Sequence, residues 1–83
     1  MPKNTILQNL CYTELVYERI NKKLKTAYTN EQIEDLMRRV IEETPDEDII
    51  KTGKNFYISS PERGIRVTVN SYTFRVITAD RIG

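Results

Sequence analysis

The feature that most constrains the fold is a run of alternating apolar and polar residues towards the end of the chain. Residues 65–79 read Ile-Arg-Val-Thr-Val-Asn-Ser-Tyr-Thr-Phe-Arg-Val-Ile-Thr-Ala. A period of two is typical of a β-strand with one buried face, and Asn70-Ser71 interrupts the run with residues that favour a turn. The run therefore predicts two antiparallel strands, 65–69 and 72–79, joined by a two-residue loop.

The register of this hairpin provides the first candidate for a functional site. A two-residue loop would place Arg66 opposite Arg75 on one face and six apolar or aromatic side chains on the other, namely Ile65, Val67, Val69, Tyr72, Phe74 and Val76. Like charges directly opposite each other cost up to about 1 kcal/mol. A bound anion would offset that cost, because guanidinium groups match phosphate geometry. We therefore expect an open sheet face that binds an anionic partner such as nucleic acid. Its expected residues are Arg66, Arg75, Thr68 and Thr73, with Lys54, Tyr57 and Arg81 as further contacts.

The alternative is that Arg66 and Arg75 are simply the solvated face of a half-exposed sheet. A neighbouring carboxylate such as Asp80 or Glu62, or splayed side chains in water, would then offset the repulsion.

The first half of the chain has the periodicity of helices. Apolar residues recur every three to four positions from Tyr12 to Leu24, which predicts a helix over about 5–27. Thr29 followed by Gln32 has the form of a capping box and predicts a second helix over about 30–43. Thr44-Pro45, with acidic residues after it, repeats the start signal and predicts a short helix over about 45–51.

These elements predict an α+β fold in one domain spanning 1–83. Gly53 would end the short helix, and a strand over about 55–59 would follow it. Three helices would thus precede a three-stranded antiparallel meander that packs on them. The predicted strands are 55–59, 65–69 and 72–79.

Composition excludes several kinds of chemistry. The 83 residues include no histidine, which removes zinc sites built on imidazole and nucleophiles activated by histidine. We expect no cofactor and no metal. The chain has one cysteine, Cys11, no apolar run of transmembrane length and no apolar leader at its start, so we expect a cytoplasmic protein that does not enter a membrane.

Charge is unevenly distributed although the net charge is only +1. Residues 31–48 carry eight acidic and two basic residues, whereas both flanking segments have a basic excess. Such separation can steer a charged partner towards one surface.

Two blocks resemble a known family. Residues 53–58, Gly-Lys-Asn-Phe-Tyr-Ile, and residues 69–82, Val-Asn-Ser-Tyr-Thr-Phe-Arg-Val-Ile-Thr-Ala-Asp-Arg-Ile, resemble small bacterial proteins catalogued only as a domain of unknown function. The resemblance implies neither an activity nor a site residue.

A looser similarity concerns small ribonuclease toxins of the RelE and colicin type, in which helices precede a meander with basic and hydroxyl residues on its open face. It implies that Lys54, Tyr57, Arg66 and Arg75 would bind and polarise phosphate. Tyr72 or Asp80 would assist proton transfer.

Three functions therefore stay open from the sequence. The first is a binding module for an anionic partner. The second is a module that binds another protein or associates with itself as a homo-oligomer. It would use an edge strand or the apolar region at Ile77 and Ala79. A ribonuclease ranks last, because no pair of residues demands catalysis.

Overall fold

The computed structural model describes residues 2–82, and its chain forms three helices followed by a four-stranded antiparallel sheet. The helices are α1 Pro2–Asn9, α2 Glu14–Leu24 and α3 Asn30–Glu43. A 3-10 turn, Asp46–Asp48, leads into the strands β1 Ile49–Thr52, β2 Asn55–Ser60, β3 Ile65–Asn70 and β4 Val76–Arg81. The sheet order is β1-β2-β3-β4. The α+β class is confirmed, and the number of strands is four rather than three.

One face of the sheet packs on the helices and forms the core. The buried residues come from α1, α2 and α3 at helical spacing and from alternate positions of β2 and β3, with Val76 and Ala79 contributed by β4 on either side of an irregularity in its pairing. Fully or almost fully buried side chains include Ile6, Val16, Ile20, Leu24, Ile33, Met37, Val40, Ile41, Ile58, Val67, Val69, Val76 and Ala79.

The predicted helix over 5–27 is wrong as one element, because the chain leaves helical geometry between Asn9 and Glu14. The Cys11 N–H donates to the Phe74 carbonyl at 3.1 Å, and the Val76 N–H donates to the Cys11 carbonyl at 2.9 Å. Cys11 thus forms an isolated parallel bridge with Arg75. Backbone groups bound to a distant strand cannot also serve a continuous helix.

The end of α2 also falls earlier than predicted, at Leu24 instead of residue 27. Lys25 adopts a left-handed conformation with φ 57°, and the Asn21 side chain then organises the loop. Asn21 Oδ1 accepts from the Tyr28 N–H at 3.0 Å and from the Thr26 hydroxyl at 2.8 Å. Such local side-chain hydrogen bonds compete with helix continuation.

The second predicted helix is confirmed over Asn30–Glu43, including its start. The Thr29 hydroxyl accepts from the Gln32 N–H at 3.2 Å, and Gln32 Oε1 accepts from the Thr29 N–H at 2.8 Å. These are the two reciprocal bonds of a capping box.

The predicted helix over 45–51 is wrong: it is a 3-10 turn followed by β1. Ile49 lies opposite Ile58 of β2 and is buried beside it. Gly53 does not end a helix but opens the two-residue turn between β1 and β2, with φ +61°. Pairing with β2 gives Ile49 a buried place that one helical turn would not supply. Within residues 2–82, no helix has the length and apolar character needed to cross a membrane.

Candidate functional site

The predicted pairing of Arg66 with Arg75 is wrong. β3 and β4 pair with Arg66 opposite Asp80 and Thr68 opposite Thr78, not Thr73. The predicted strand over 72–79 instead begins at Val76 and ends at Arg81. The like-charge contact that motivated an anion between the two guanidinium groups is therefore not present.

The register differs because the loop is longer than two residues. Asn70 Oδ1 accepts from the backbone N–H groups of Tyr72 at 2.8 Å and Thr73 at 2.9 Å. The Phe74 N–H donates to the Asn70 carbonyl, and Phe74 has φ +59°. Asn side chains stabilise turns through bonds of this kind. A shift in pairing between Thr68 and Val69 then sets the remainder of β4 in its observed register.

Arg66 and Tyr57 do share a surface, on the side of the sheet away from the core. We call this surface the outer sheet face. Arg66 is exposed, and its Nε donates to Ser59 Oγ at 3.3 Å. A shallow depression of about 390 Å³ lies there. Its lining residues are Ile50, Thr52, Tyr57, Ser59 and Arg66.

Arg75 lies elsewhere, beside the start of α2. It lines a second depression of about 200 Å³ together with Arg19 and Leu15. No carboxylate among residues 2–82 forms an ion pair with either arginine. The structure therefore gives Arg75 a different arginine neighbour from the one predicted, and the sequence did not single out Arg19.

Arg81 is exposed, but its guanidinium group has a structural role. Its Nε and Nη2 donate to the Leu24 carbonyl at 3.1 and 2.7 Å. A cation at this position satisfies an unpaired carbonyl at the C-terminus of α2 and is favourable for the helix dipole.

Lys54 lies in the exposed turn between β1 and β2, where its carbonyl accepts from the Ser71 N–H at 2.7 Å. The five candidate contacts thus occupy four separate places. Tyr57 and Arg66 are together on the outer sheet face, and Arg75, Arg81 and Lys54 are each apart from them. Whether any of them binds an anion stays a prediction, as does the ribonuclease alternative.

The two edges of the sheet differ. At β4, the Cys11 bridge occupies the start of the strand, and α2 packs along it. At β1, no other described element pairs with the free edge. Ile50, in the middle of β1, is 52% exposed and lies directly opposite Tyr57.

Sequence reasoning missed this edge because it assigned residues 45–51 to a helix. A usable signal was present: Gly53-Lys54 can form a two-residue hairpin turn, and extending alternation backwards from it gives a strand that pairs with 55–58.

Two tyrosines have strongly perturbed pKa values, but both lie between α2 and α3. The Tyr17 hydroxyl donates to Glu34 Oε2 at 2.6 Å. This hydrogen bond raises the pKa of Tyr17 to about 12. Burial, with the nearby Glu34 charge, raises the pKa of Tyr12, whose ring stacks on Tyr17 with centroids 5.6 Å apart. Both groups are held neutral, which suits packing between helices.

Acidic and thiol side chains do not converge on one point. Across the described residues, no group of three or more cysteine, aspartate or glutamate side chains is arranged to hold a metal ion.

Comparison with known proteins yields one match. No curated protein and no solved structure matches the chain. Residues 4–80 match the model of a family described as "Protein of unknown function (DUF3781)". Because the match covers nearly the whole chain, the protein belongs to this family of unknown function.

Proposed function

We propose that the protein is a small interaction module that binds another polypeptide by adding a strand to the free edge of β1. The observation that carries the proposal is the difference between the two sheet edges. At the β4 edge, the backbone of Cys11 bridges the start of the strand, and α2 contacts β4. The β1 edge has no pairing partner among the described residues. Unpaired strand edges are templates for another chain.

Backbone geometry supports β1 as an acceptor. Thr52 and Asn55 close the two-residue turn, so they form a hydrogen-bonded pair. Hydrogen-bonded and non-hydrogen-bonded pairs alternate along an antiparallel ladder. The backbone groups of Ile49 and Lys51 therefore point away from β2, towards the free edge.

The side chains next to this edge supply a contact for the partner. Ile50 and Tyr57 lie side by side on the outer sheet face, with Arg66 in the same depression. In strand addition, main-chain hydrogen bonds provide affinity and side-chain depressions provide specificity. The partner would be an extended segment with an apolar side chain placed over Ile50.

Lys51 offers a direct test. Lys51→Pro removes an N–H that points to the free edge, and proline is tolerated on edge strands. Lys51→Ala removes the charge but keeps the N–H. A photo-crosslinker at Thr52 would capture the partner in cells that encode the protein. Binding of the purified partner is then measured with the wild type and both variants.

We expect Lys51→Ala to bind and Lys51→Pro to lose binding, with hydrogen exchange at residues 49–52 slowed only in the complex. Equal binding by both variants, or protection confined to another part of the chain, would exclude strand addition at β1.

A second candidate is a binding module for an anionic partner such as nucleic acid. It is supported by Arg19 and Arg75, which line one depression and form no ion pair within residues 2–82. Guanidinium groups contact phosphates well, and such binding weakens with salt.

Its test is nucleic-acid binding measured over a salt titration. The double variant Arg19→Ala/Arg75→Ala should weaken binding and reduce the slope of affinity against salt by about two charges. Arg39→Ala is the control, because Arg39 is paired with Asp35 at 2.7 Å. An unchanged slope in the double variant would count against this candidate.

A further inference from the structure

We infer that the polypeptide bound at β1 is a second copy of this chain, paired antiparallel across a two-fold axis so that two four-stranded sheets become one. The inference rests on the proposed strand addition and names its partner. It begins from the charges at the two ends of β1. Asp46, Glu47 and Asp48 precede the strand, whereas Lys51 and Lys54 lie at its other end.

Antiparallel pairing of β1 with itself makes these charges complementary. The acidic 3-10 turn of each copy would lie beside the basic turn of the other copy, twice in one dimer. All five side chains belong to residues that are exposed or half-buried in the single chain. Complementary charges across an interface favour encounter and fix register.

The backbone restricts the possible registers. Ile49 and Lys51 carry the backbone groups that point outward. In the dimer, each of them must therefore face either Ile49 or Lys51 of the second copy. Two of these registers overlap three residues of the four-residue strand. One of them pairs Ile49 with Lys51 of the second copy and places Ile50 opposite Ile50.

The neighbouring registers are less favourable. One shift places Lys51 opposite Lys51 on the axis, and like charges directly opposite are destabilising. The other shift places Ile50 opposite Asp48 of the second copy. Only the central register covers the exposed Ile50, 52% accessible in the single chain, with another apolar side chain.

The same geometry makes the assembly close on itself. A two-fold interface uses both β1 edges, and the β4 edge at each end of the joined sheet is bridged at its start by Cys11. The product is a dimer, not an open fibre. Because β1 has four residues, the interface is small and the dimer is weak and concentration-dependent.

Sedimentation over a range of concentrations tests the dimer. The wild-type mass should rise from 9.8 kDa towards twice that value as concentration increases. Ile50→Lys places two ammonium groups against each other on the axis and should raise the dimer Kd at least about tenfold. Leu15→Lys is the control, because Leu15 is 74% exposed but lies in α2, next to β4 and away from β1.

Disulfide trapping tests the register without a disruptive substitution. In a Cys11→Ser background, Ile50→Cys should form a disulfide between two copies on mild oxidation, because facing non-hydrogen-bonded residues lie about 4.5 Å apart. Thr52→Cys is the control. In this register the two Thr52 positions are about 13 Å apart along the strands, which is too far for a disulfide.

The outcomes separate the inference from the proposed function. A wild type that stays monomeric at about 1 mM, where even a dimer of millimolar Kd would be substantially populated, overturns the second copy as partner. Strand addition by a different polypeptide would then still be measured through Lys51→Pro. A dimer that Ile50→Lys leaves intact, or that traps equally through Thr52→Cys, also overturns the inference.

Discussion

Arg66 on β3 lies directly opposite Asp80 on β4, and Asp80 forms an ion pair with Lys23 of α2 at 3.3 Å. One carboxylate thus lies between a strand arginine and a helix lysine. Opposite charges in facing positions of a sheet are favourable by a few tenths to about 1 kcal/mol. This relationship gives Arg66 a facing carboxylate, and it links the outer sheet face to α2.

The register behind this contact can be tested by disulfide formation. In a Cys11→Ser background, Thr68→Cys/Thr78→Cys should oxidise readily to an intramolecular disulfide, because facing residues lie about 4.5–5.5 Å apart. Thr68→Cys/Thr73→Cys is the matched control and should not. Mass change and non-reducing mobility report the bond. Efficient closure of the control pair would mean that the hairpin turns at residues 70–71 after all.

The two threonine caps should differ in their contribution to stability. Thr29 caps α3 with its hydroxyl, whereas Thr13, the N-cap of α2, makes no side-chain cap bond. Thr29→Ala should lower the free energy of unfolding by about 1 kcal/mol, and Thr13→Ala should lower it by less. Urea titrations of both variants give the comparison. Equal losses would contradict the assigned capping box.

The Tyr17–Glu34 contact should be visible in the alkaline titration of the tyrosines. The hydrogen bond raises the folded pKa of Tyr17 to about 12 from a reference value of 10.0. The stabilisation is therefore complete below pH 10.0 and is lost as the pH rises through about 12. Glu34→Gln should move the pKa of Tyr17 towards 10.0. The titration is followed by the ultraviolet absorbance of tyrosinate. Tyr17→Phe removes the Tyr17 ionisation and so identifies it in the absorbance curve. A curve that is unaltered in both variants would refute the Tyr17–Glu34 hydrogen bond as the cause of the raised pKa.

The pH dependence of stability has the opposite sign for Glu43, whose pKa is lowered in the folded protein. The Arg63 guanidinium donates from Nε and Nη2 to the Glu43 carboxylate, each at 2.8 Å, and lowers the pKa of that carboxyl. The resulting stabilisation is present above the reference pKa of 4.5 and is lost as the pH falls through the depressed folded value.

The unfolding midpoint of Glu43→Gln should therefore lie below that of the wild type near neutral pH, and the two should converge in acid. Glu42→Gln, on the neighbouring exposed position, is the control and should show no comparable convergence. A gap between Glu43→Gln and the wild type that persists in strong acid would argue against the ion pair as its cause.

The turn before β2 should depend on Gly53. Its φ of +61° is unfavourable for residues with a Cβ, although nothing lies within 4 Å of the position that a Cβ would take. Gly53→Ala should cost about 1–2 kcal/mol from backbone conformation alone and speed hydrogen exchange in β1. Lys54→Ala, next in the turn and without a positive φ, should be nearly neutral. Similar exchange in both variants would indicate that β1 does not depend on this turn.

Local signals predicted α3 and the general class of the fold well. The capping box needs only Thr29 and Gln32, three positions apart, so its bonds follow from local sequence. The apolar periodicity from Tyr12 to Leu24 likewise coincides with the buried face of α2, at Val16, Ile20 and Leu24. Periodicity sufficed in both cases because a helix satisfies its own backbone hydrogen bonds.

The same signals failed where distant segments compete for the backbone. Thr44-Pro45 and the acids after it favour a helix start, but pairing with β2 makes β1 out of Ile49–Thr52. Cys11 leaves the helical run because its N–H and C=O bind beside Phe74 and Val76. No local window contains both partners of these bonds.

The candidate site depended on one detail of a loop. Alternation alone determined that residues 65–69 form a strand and that a second strand follows, of which the predicted range 72–79 contains only 76–79. Ile65, Val67, Val69 and Val76 face the core as expected, whereas Tyr72 is exposed and Ala79, expected on the other face, is buried. The neighbour of Arg66 was decided by the folded hairpin, where Asn70 binds two backbone N–H groups and Phe74 takes a positive φ. A change of loop length shifts every facing pair beyond it. The sequence by itself therefore determined the α+β class, α3 and the strands at 55–59 and 65–69, because these follow from local periodicity and capping. Tertiary pairing decided that residues 49–52 form a strand, which edge stays free and which charges meet, because the partners in these contacts are distant in sequence.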